Sequence, residues 1–202
     1  MSATRLVLAT HNPHKLTELR QILAETLEPQ EIAGAGDVAA PDVAETGITF
    51  ADNAALKARA VADHTGLVAV ADDSGIAVDV LSGAPGIFSA RWAGRHGDDA
   101  ANLQLLLDQL QDIPEQFRRA RFVCAAALAI PQGNTHLEYG YLPGTLLTEP
   151  RGSGGFGYDP ILVPDGEQRS CAELSAEEKH AISHRGQAFR ALAPHIAAAL
   201  QH

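Results

Sequence analysis

Hydrophobic positions along the chain follow two periods. Arg5-Leu-Val-Leu-Ala-Thr10 is a short β-rich apolar run, and Leu16, Leu19, Ile22, Leu23 and Leu27 follow it at helical spacing. The start of the chain therefore reads as strand, tight loop and amphipathic helix. A second helix is expected from Thr49, where Thr49-Phe50-Ala51-Asp52 has the pattern of a capping box, through Lys57 to His64, with Gly66 ending it. Leu67 to Ala71 and Ile76 to Val80 read as two short strands flanking an acidic turn, Asp72-Asp73-Ser74-Gly75, in which Gly75 gives the backbone freedom to turn. That reading places two carboxylates at a strand end.

Asp98-Asp99 opens a third helix with an apolar face of Leu103, Leu106, Leu107 and Leu110, and both acids suit the positive end of its dipole, as caps rather than metal ligands. Phe122 to Ile130 and Thr135 to Leu142 read as strands joined by Gln132-Gly133-Asn134, and Ser183 to Leu200 as a helix interrupted near Pro194. No repeat or low-complexity tract intervenes. Strands alternating with helices make the chain α/β with a mixed sheet.

Composition narrows what such a chain does. Its 202 residues suffice for one domain, or two closely packed lobes, and a chain of this length buries roughly 70% of its unfolded surface. With 46% hydrophobic and 20% charged residues, global disorder is excluded. Cys124 and Cys171 lie far apart and outside any zinc-ligand spacing, so they read as buried thiols. The N-terminal apolar stretch is too short for a signal peptide and the longest apolar run too short to cross a bilayer, so the expected compartment is the cytoplasm, with no membrane partner. A formal charge of −10 opposes wide contact with a nucleic-acid backbone, so a phosphate-bearing ligand has to be small and locally neutralised.

Four segments carry candidate chemistry. Thr10-His11-Asn12-Pro13-His14-Lys15 joins a strand end to a helix start, where backbone N–H groups and Lys15 suit phosphates; an ordinary βα turn with a surface lysine explains it equally. Glu45 with Asp72-Asp73-Ser74 offers hard oxygen donors for Mg²⁺, and solvated acidic loops have the same composition. Gly152 to Gly157 formally contains GxGxxG, but Asp159-Pro160 and a strand-like segment follow where a dinucleotide fold needs a helix. This loop suits a planar base stacked on Phe156, with backbone amides free to bond it, or else a tight turn with Phe156 in the core. In the fourth segment, Ser175 opens a capping box leading to Lys179, and Ser183-His184-Arg185 stands at a second helix start; His184 and Arg185 carry donors suited to a purine O6, while surface decoration and an N-cap explain them as well.

Taken together and in order, LATHNPHKLTELR (8–20), ETGITFADNAALKA (45–58), ADDSGIAVDVL (71–81), GAPGIFSARWAG (83–94), GGFGYDP (154–160) and ELSAEEKHAISHRGQA (173–188) resemble the inosine/xanthosine triphosphate pyrophosphatase family over almost the whole chain. The resemblance implies an elongated mixed β-sheet with flanking helices, two lobes around a central cleft, within one catalytic domain spanning 1–202, and a homodimer. It implies hydrolysis of non-standard purine nucleoside triphosphates (ITP, dITP, XTP) to the monophosphate and pyrophosphate, with Mg²⁺. By resemblance, Thr10 to Lys15 contact the triphosphate, Glu45 and Asp73 bind Mg²⁺, Asp73 activates water and Ser74 contacts substrate. Phe156, Gly157, Tyr158 and Asp159 hold the base, with Lys179, His184 and Arg185 completing its recognition; Lys57 and Arg91 are further phosphate contacts. Asp52 departs from the pattern, since related sequences commonly place Glu there. A pyrophosphatase for modified pyrimidine nucleotides and a non-catalytic nucleotide sensor are the competing readings.

Overall fold

Of all the helices, the one after residue 49 has the most complete signals in the sequence. In a computed structural model, which describes residues 4–24 and 27–201 apart from the side chains of Pro13, His14, Glu18 and Pro29, Thr49 is its N-cap. Thr49 accepts from the Asp52 N–H at 3.1 Å while the Asp52 carboxylate accepts from the Thr49 N–H at 3.1 Å, a reciprocal capping box. Gly66 closes the helix at φ 69°, a left-handed position that glycine adopts without steric cost. The elements are β1 (Leu6–Leu8), α1 (Pro13–Leu23), β2 (Ile32–Gly34), α2 (Phe50–Thr65), β3 (Val68–Val78), α3 (Asp99–Gln109), β4 (Arg119–Ala129), β5 (Thr135–Leu146), β6 (Leu162–Pro164), α4 (Ala176–Ile182) and α5 (His184–Ala199), with short 3₁₀ turns between. The six strands form one sheet in the order β2-β1-β3-β4-β5-β6. It is mixed: β1 runs parallel to β2 and to β3, and β6 antiparallel to β5.

By its internal contacts the chain divides into two compact units. The first holds Met1–Asp73, Cys124–Gly140 and Arg185–His202; the second holds Ser74–Val123 and Tyr141–His184. In the first unit, strand alternation sorts side chains onto two faces. Leu6, Leu8, Val68, Val70, Cys124, Ala126 and Leu128 pack with Leu19 and Leu23 of α1 and with Ala188, Phe189, Leu192 and Ile196 of α5. The residues between them, Val7, Ala69, Ala71, Ala125, Ala127 and Ala129, pack with Ala54, Ala58, Val61 and Ala62 of α2. Small side chains on both partners let α2 lie close to the sheet. In the second unit Leu103, Leu106, Leu107 and Leu110 of α3 pack with Phe122, Leu142, Leu146, Tyr158, Ile161 and Leu162. Cys124 and Cys171 are buried thiols.

Two expectations are corrected. Residues 67–80 are not two strands around an acidic turn, because β3 runs unbroken through Asp72, Asp73, Ser74 and Gly75. Gly75 is there for space and not for turning: a Cβ on it would collide with the Ser89 hydroxyl, which accepts the Ile76 N–H at 2.9 Å and donates to the Gly86 carbonyl at 2.6 Å. The C-terminal helix likewise continues through Pro194. An interior proline costs about 3 kcal/mol. Phe189, Leu192 and Ile196, which flank it, are each fully buried, and burying such a side chain contributes about 1.5–3 kcal/mol. The packed face outweighs the break, and Pro194 sits on the exposed side.

Gly75→Ala is expected to destabilise the protein by about 1–3 kcal/mol through overpacking against Ser89. Gly36→Ala, where a Cβ meets nothing within 4 Å, stays within about 0.5 kcal/mol of the parent. Urea unfolding measures both, and equal midpoints would refute the packing account of Gly75.

Candidate active site

Because β3 is continuous, its consecutive carboxylates point to opposite faces. Asp72 shares the face of Val68 and Val70, toward α1 and α5, and there its Oδ2 accepts from Lys15 Nζ at 3.0 Å and from Arg185 Nε at 3.2 Å. Both acid and arginine are nearly fully buried, at 1% and 3% side-chain exposure. Asp73 shares the alanine face, toward α2. Its Oδ2 accepts from Asn53 Nδ2 at 3.2 Å and its Oδ1 from Lys57 Nζ at 3.3 Å. Lys57 also donates to Glu45 Oε1 at 2.8 Å. Uncompensated buried carboxylates cost several kcal/mol, so each acid meets cations supplied by the layer it faces.

The turn between β1 and α1 is built by local bonds. The Asn12 N–H donates to Thr10 Oγ1 at 3.2 Å, and Asn12 Oδ1 accepts the Lys15 N–H at 3.3 Å. Asn12 is thus the N-cap and Pro13 the first helical residue, where its missing N–H costs nothing. This arrangement directs Lys15 at β3, where it reaches Asp72. His11 Nε2 lies 3.2 Å from Asp42 Oδ1, both exposed. The side chains of Pro13 and His14 lie outside the described residues.

Burial raises the Asp73 carboxyl above its ordinary value of 3.8, and Glu45 adds to the rise; Lys57, Lys15 and the Asn53 amide oppose it. Lys57 is buried too, which works against its charge, but Asp73, Asp72 and Glu45 prevail and hold it above 10.5. Among the described residues no three acidic, His or Cys side chains are grouped to hold a metal by themselves. Mg²⁺ commonly takes one or two carboxylates, with substrate phosphates and water completing its shell. Glu45 and Asp73, both ion-paired to the single Lys57 ammonium, are a hard-oxygen donor set that fits this mode.

In the second unit, Gly152, Gly155 and Gly157 all have positive φ, and a Cβ on Gly155 would strike the Asp159 carboxylate. Asp159 is buried, and its Oδ2 accepts from the Phe156 N–H at 2.7 Å and from Lys179 Nζ at 2.6 Å. Lys179 Nζ lies 5.2 Å from the centre of the half-buried Phe156 ring, a cation–π contact. The Gly157 N–H donates to Asp99 Oδ2 at 2.9 Å, and the buried Tyr158 hydroxyl donates to the Ser89 carbonyl at 2.9 Å. Amides expected to be free for a base are therefore engaged at Phe156 and Gly157, because a loop with so many left-handed residues is held in shape by Asp159 within it and by Asp99 of α3. His184 stacks on Phe122 with ring centres 5.0 Å apart. Arg91 lies over the Phe88 ring at 5.4 Å. Ser74 is half-buried on β3, the first residue of this unit.

The sequence-predicted residues thus form two groups. Thr10 to Lys15, Glu45, Lys57, Asp73 and Arg185 belong to the first unit; Ser74, Arg91, Phe156 to Asp159, Lys179 and His184 belong to the second. Arg185, expected at a purine, gives its Nε to Asp72. Asp52 is the capping partner of Thr49, which accounts for an acid at that position. Asp72, read in the sequence as one of a group of hard-oxygen donors, is instead engaged by Lys15 and Arg185. One residue escaped the reading of the sequence. Asn53 was absorbed into a helix, although its i, i+4 spacing to Lys57 puts both on one face.

A Ham1 family model matches residues 6–195. The chain is 65% identical over 192 residues to a dITP/XTP pyrophosphatase of Streptomyces coelicolor, covering 95% of this chain and 96% of that one. It is 58% identical over 194 residues to a protein of the same name from Frankia alni, covering 94% and 95%. Among solved structures, a HAM1 protein from Coxiella burnetii superposes with a TM-score of 0.87 at 41% identity, over 97% of this chain and 100% of that one. A nucleoside-triphosphatase / dITP/XTP pyrophosphatase from Mycobacterium abscessus does so with a TM-score of 0.76 at 50% identity, over 95% and 100%.

The electrostatics yield a measurable titration. In metal-free protein the Asp73 carboxyl, followed by NMR, is expected to titrate above 3.8, and Lys57→Met moves its midpoint higher still, because burial and Glu45 remain while the attraction is gone. The folded state then holds this proton more tightly than the unfolded chain. The group's contribution to stability is consequently most favourable below its unfolded value and declines as pH rises through the folded one. A midpoint at or below 3.8, or a fall in the variant, contradicts this balance.

Proposed function

The chain belongs to the Ham1 family, and from that membership we propose that it hydrolyses non-standard purine nucleoside triphosphates (dITP, ITP and XTP) to the monophosphate and pyrophosphate, clearing them from the nucleotide pool. We propose a single catalytic domain acting in the cytoplasm as a homodimer; no helix among the described residues is long and apolar enough to cross a membrane.

The observation that carries the reading is the buried Asp73 carboxylate, beside Glu45 and bonded to Lys57 and Asn53. Asp73 takes the proton from a water molecule as its oxygen attacks the α-phosphorus; the bond from that phosphorus to the bridging oxygen breaks, and pyrophosphate leaves. A carboxyl raised by burial is a better base than an exposed one. Glu45 and Asp73 would hold Mg²⁺, which when bound offsets charge on the phosphates. Lys15 and Lys57 supply further positive charge, and Thr10 to Lys15 cradle the phosphate chain. Ser74 contacts the substrate, and Arg91 is a further phosphate contact.

Phe156 offers a stacking face to the base, on a loop that Asp159, Asp99 and Tyr158 hold in shape. With its amides engaged, recognition of a 6-oxo group falls to Lys179 and His184, while Arg185 acts through Asp72. Adenine's 6-amino group would set donor against donor, and each unpaired buried group costs about 1–3 kcal/mol, so two mismatches give discrimination of order 10²–10⁴.

Pyrophosphate release from a panel of triphosphates, with and without Mg²⁺, tests the proposal. Hydrolysis of dITP and XTP should exceed that of dATP by about 10²-fold or more in kcat/KM; equal values refute the selectivity, and ligand binding without turnover would mark a sensor. Asp73→Asn is expected to abolish turnover while the protein stays folded by circular dichroism, and near-normal rates would remove the base assignment.

A further inference from the structure

We propose that Asn53 is the positioning residue of this site: its buried amide ties the Glu45 segment to Asp73, setting the direction of the Asp73 carboxylate. The proposal rests on the reading of Asp73 as the base. Asn53 has no solvent exposure and lies in the first turn of α2 beside Ala54 and Ala58. Alanine there would suit both the helix and the alanine face against which it packs, so a buried amide at that point needs a reason.

The reason lies in its two bonds. Asn53 Oδ1 accepts the Gly47 N–H at 2.8 Å, and Nδ2 donates to Asp73 Oδ2 at 3.2 Å. A backbone N–H only donates, so the amide oxygen must face Gly47 and the NH₂ must face Asp73. The group on the far side is therefore required to accept, as an ionised carboxylate does. Gly47 lies two residues after Glu45, and only glycine fits: a Cβ there would collide with Asp52 Cβ and would stand 2.7 Å from Asn53 Oδ1 and 2.9 Å from the Asn53 nitrogen. The Glu45 segment is thus laid flat on the start of α2.

One helical turn on, Lys57 bonds Asp73 Oδ1 and Glu45 Oε1. The two helix residues accordingly hold different oxygens of Asp73, which opposes rotation of the carboxylate about its last bond. Each also grips the Glu45 segment, Asn53 by its backbone and Lys57 by its acid. A carboxylate that must meet a water in one direction depends on such an outer contact, and losing one typically costs 10–100-fold in activity.

The test is steady-state pyrophosphate release from dITP with Mg²⁺ by Asn53→Asp. This near-isosteric change keeps the acceptor for Gly47 and replaces the donor to Asp73 with oxygen. The expected result is a fall in kcat of about 10–100-fold with KM for dITP within about threefold of the parent, because the substrate's own contacts are untouched. The double variant Asn53→Asp with Asp73→Asn restores a donor–acceptor pair in reverse and is expected to regain the melting temperature lost in Asn53→Asp without regaining turnover. If Asn53→Asp does not fold, Asn53→Ser, too short for either bond, should give the same split. A kcat within about threefold of the parent in the folded variant, or a loss confined to KM, overturns the proposal. If Asp73→Asn is inactive while Asn53→Asp is normal, the positioning role alone falls; if Asp73→Asn turns over normally, the base reading falls and this inference with it.

Discussion

Two adjacent carboxylates in one buried strand point to opposite faces of the sheet, and the first unit of this protein is organised around that constraint. Alternation sends Asp72 toward α1 and α5 and Asp73 toward α2. A buried acid without a partner is too costly to tolerate, so each face must deliver its own cations. Lys15 and Arg185 meet Asp72 at 3.0 and 3.2 Å, and Lys57 meets Asp73 at 3.3 Å. The turn between β1 and α1, the C-terminal helix α5 and the capped helix α2 are all tied to β3 through these contacts.

The alanine layer makes the second of these arrangements possible. Asn53 and Lys57 reach Asp73 because Ala54 and Ala58 on the helix meet Ala69 and Ala71 on the strand, and small side chains bring the backbones close. Larger residues on that face would fill the volume equally well and lift the helix away from the acid. Core composition and site geometry are here the same property.

Asp73 is held in tension. Burial and Glu45 favour its neutral form; Lys57, Lys15 and the Asn53 amide favour its charge. The base role proposed for Asp73 needs a proton affinity matched to its task, and opposed influences temper one another where either alone would move the group further. The glycine loop of the second unit is held differently, since Asp159, Asp99 and the Tyr158 hydroxyl fix its shape through bonds to its amides, Lys179 and Ser89. That bonding would lower the ordering cost of receiving the planar base proposed for this loop.

What was legible in the sequence was local. The Thr49–Asp52 capping box, Gly66 as helix stop, Asp98 as N-cap of α3 and the apolar faces of α1 and α3 are set by bonds and periodicities within a few residues, and the structure has them as read. The candidate residues were legible too, as side-chain types in ordered motifs. Non-local contacts decided the rest. Asp72 to Gly75 have turn composition, but Ser89, fourteen residues after Gly75, holds them in a strand. Pro194 should break a helix, but the core beneath Phe189 and Ile196 keeps α5 whole. Asn53 looked like one more polar residue on a helix because its partners, Gly47 and Asp73, come from a loop and a strand on either side of it. A sequence states which groups are available and how the nearest ones bond; which acid faces which cation follows only once strands and helices are packed, because burial, not proximity along the chain, sets the cost of leaving a charge alone.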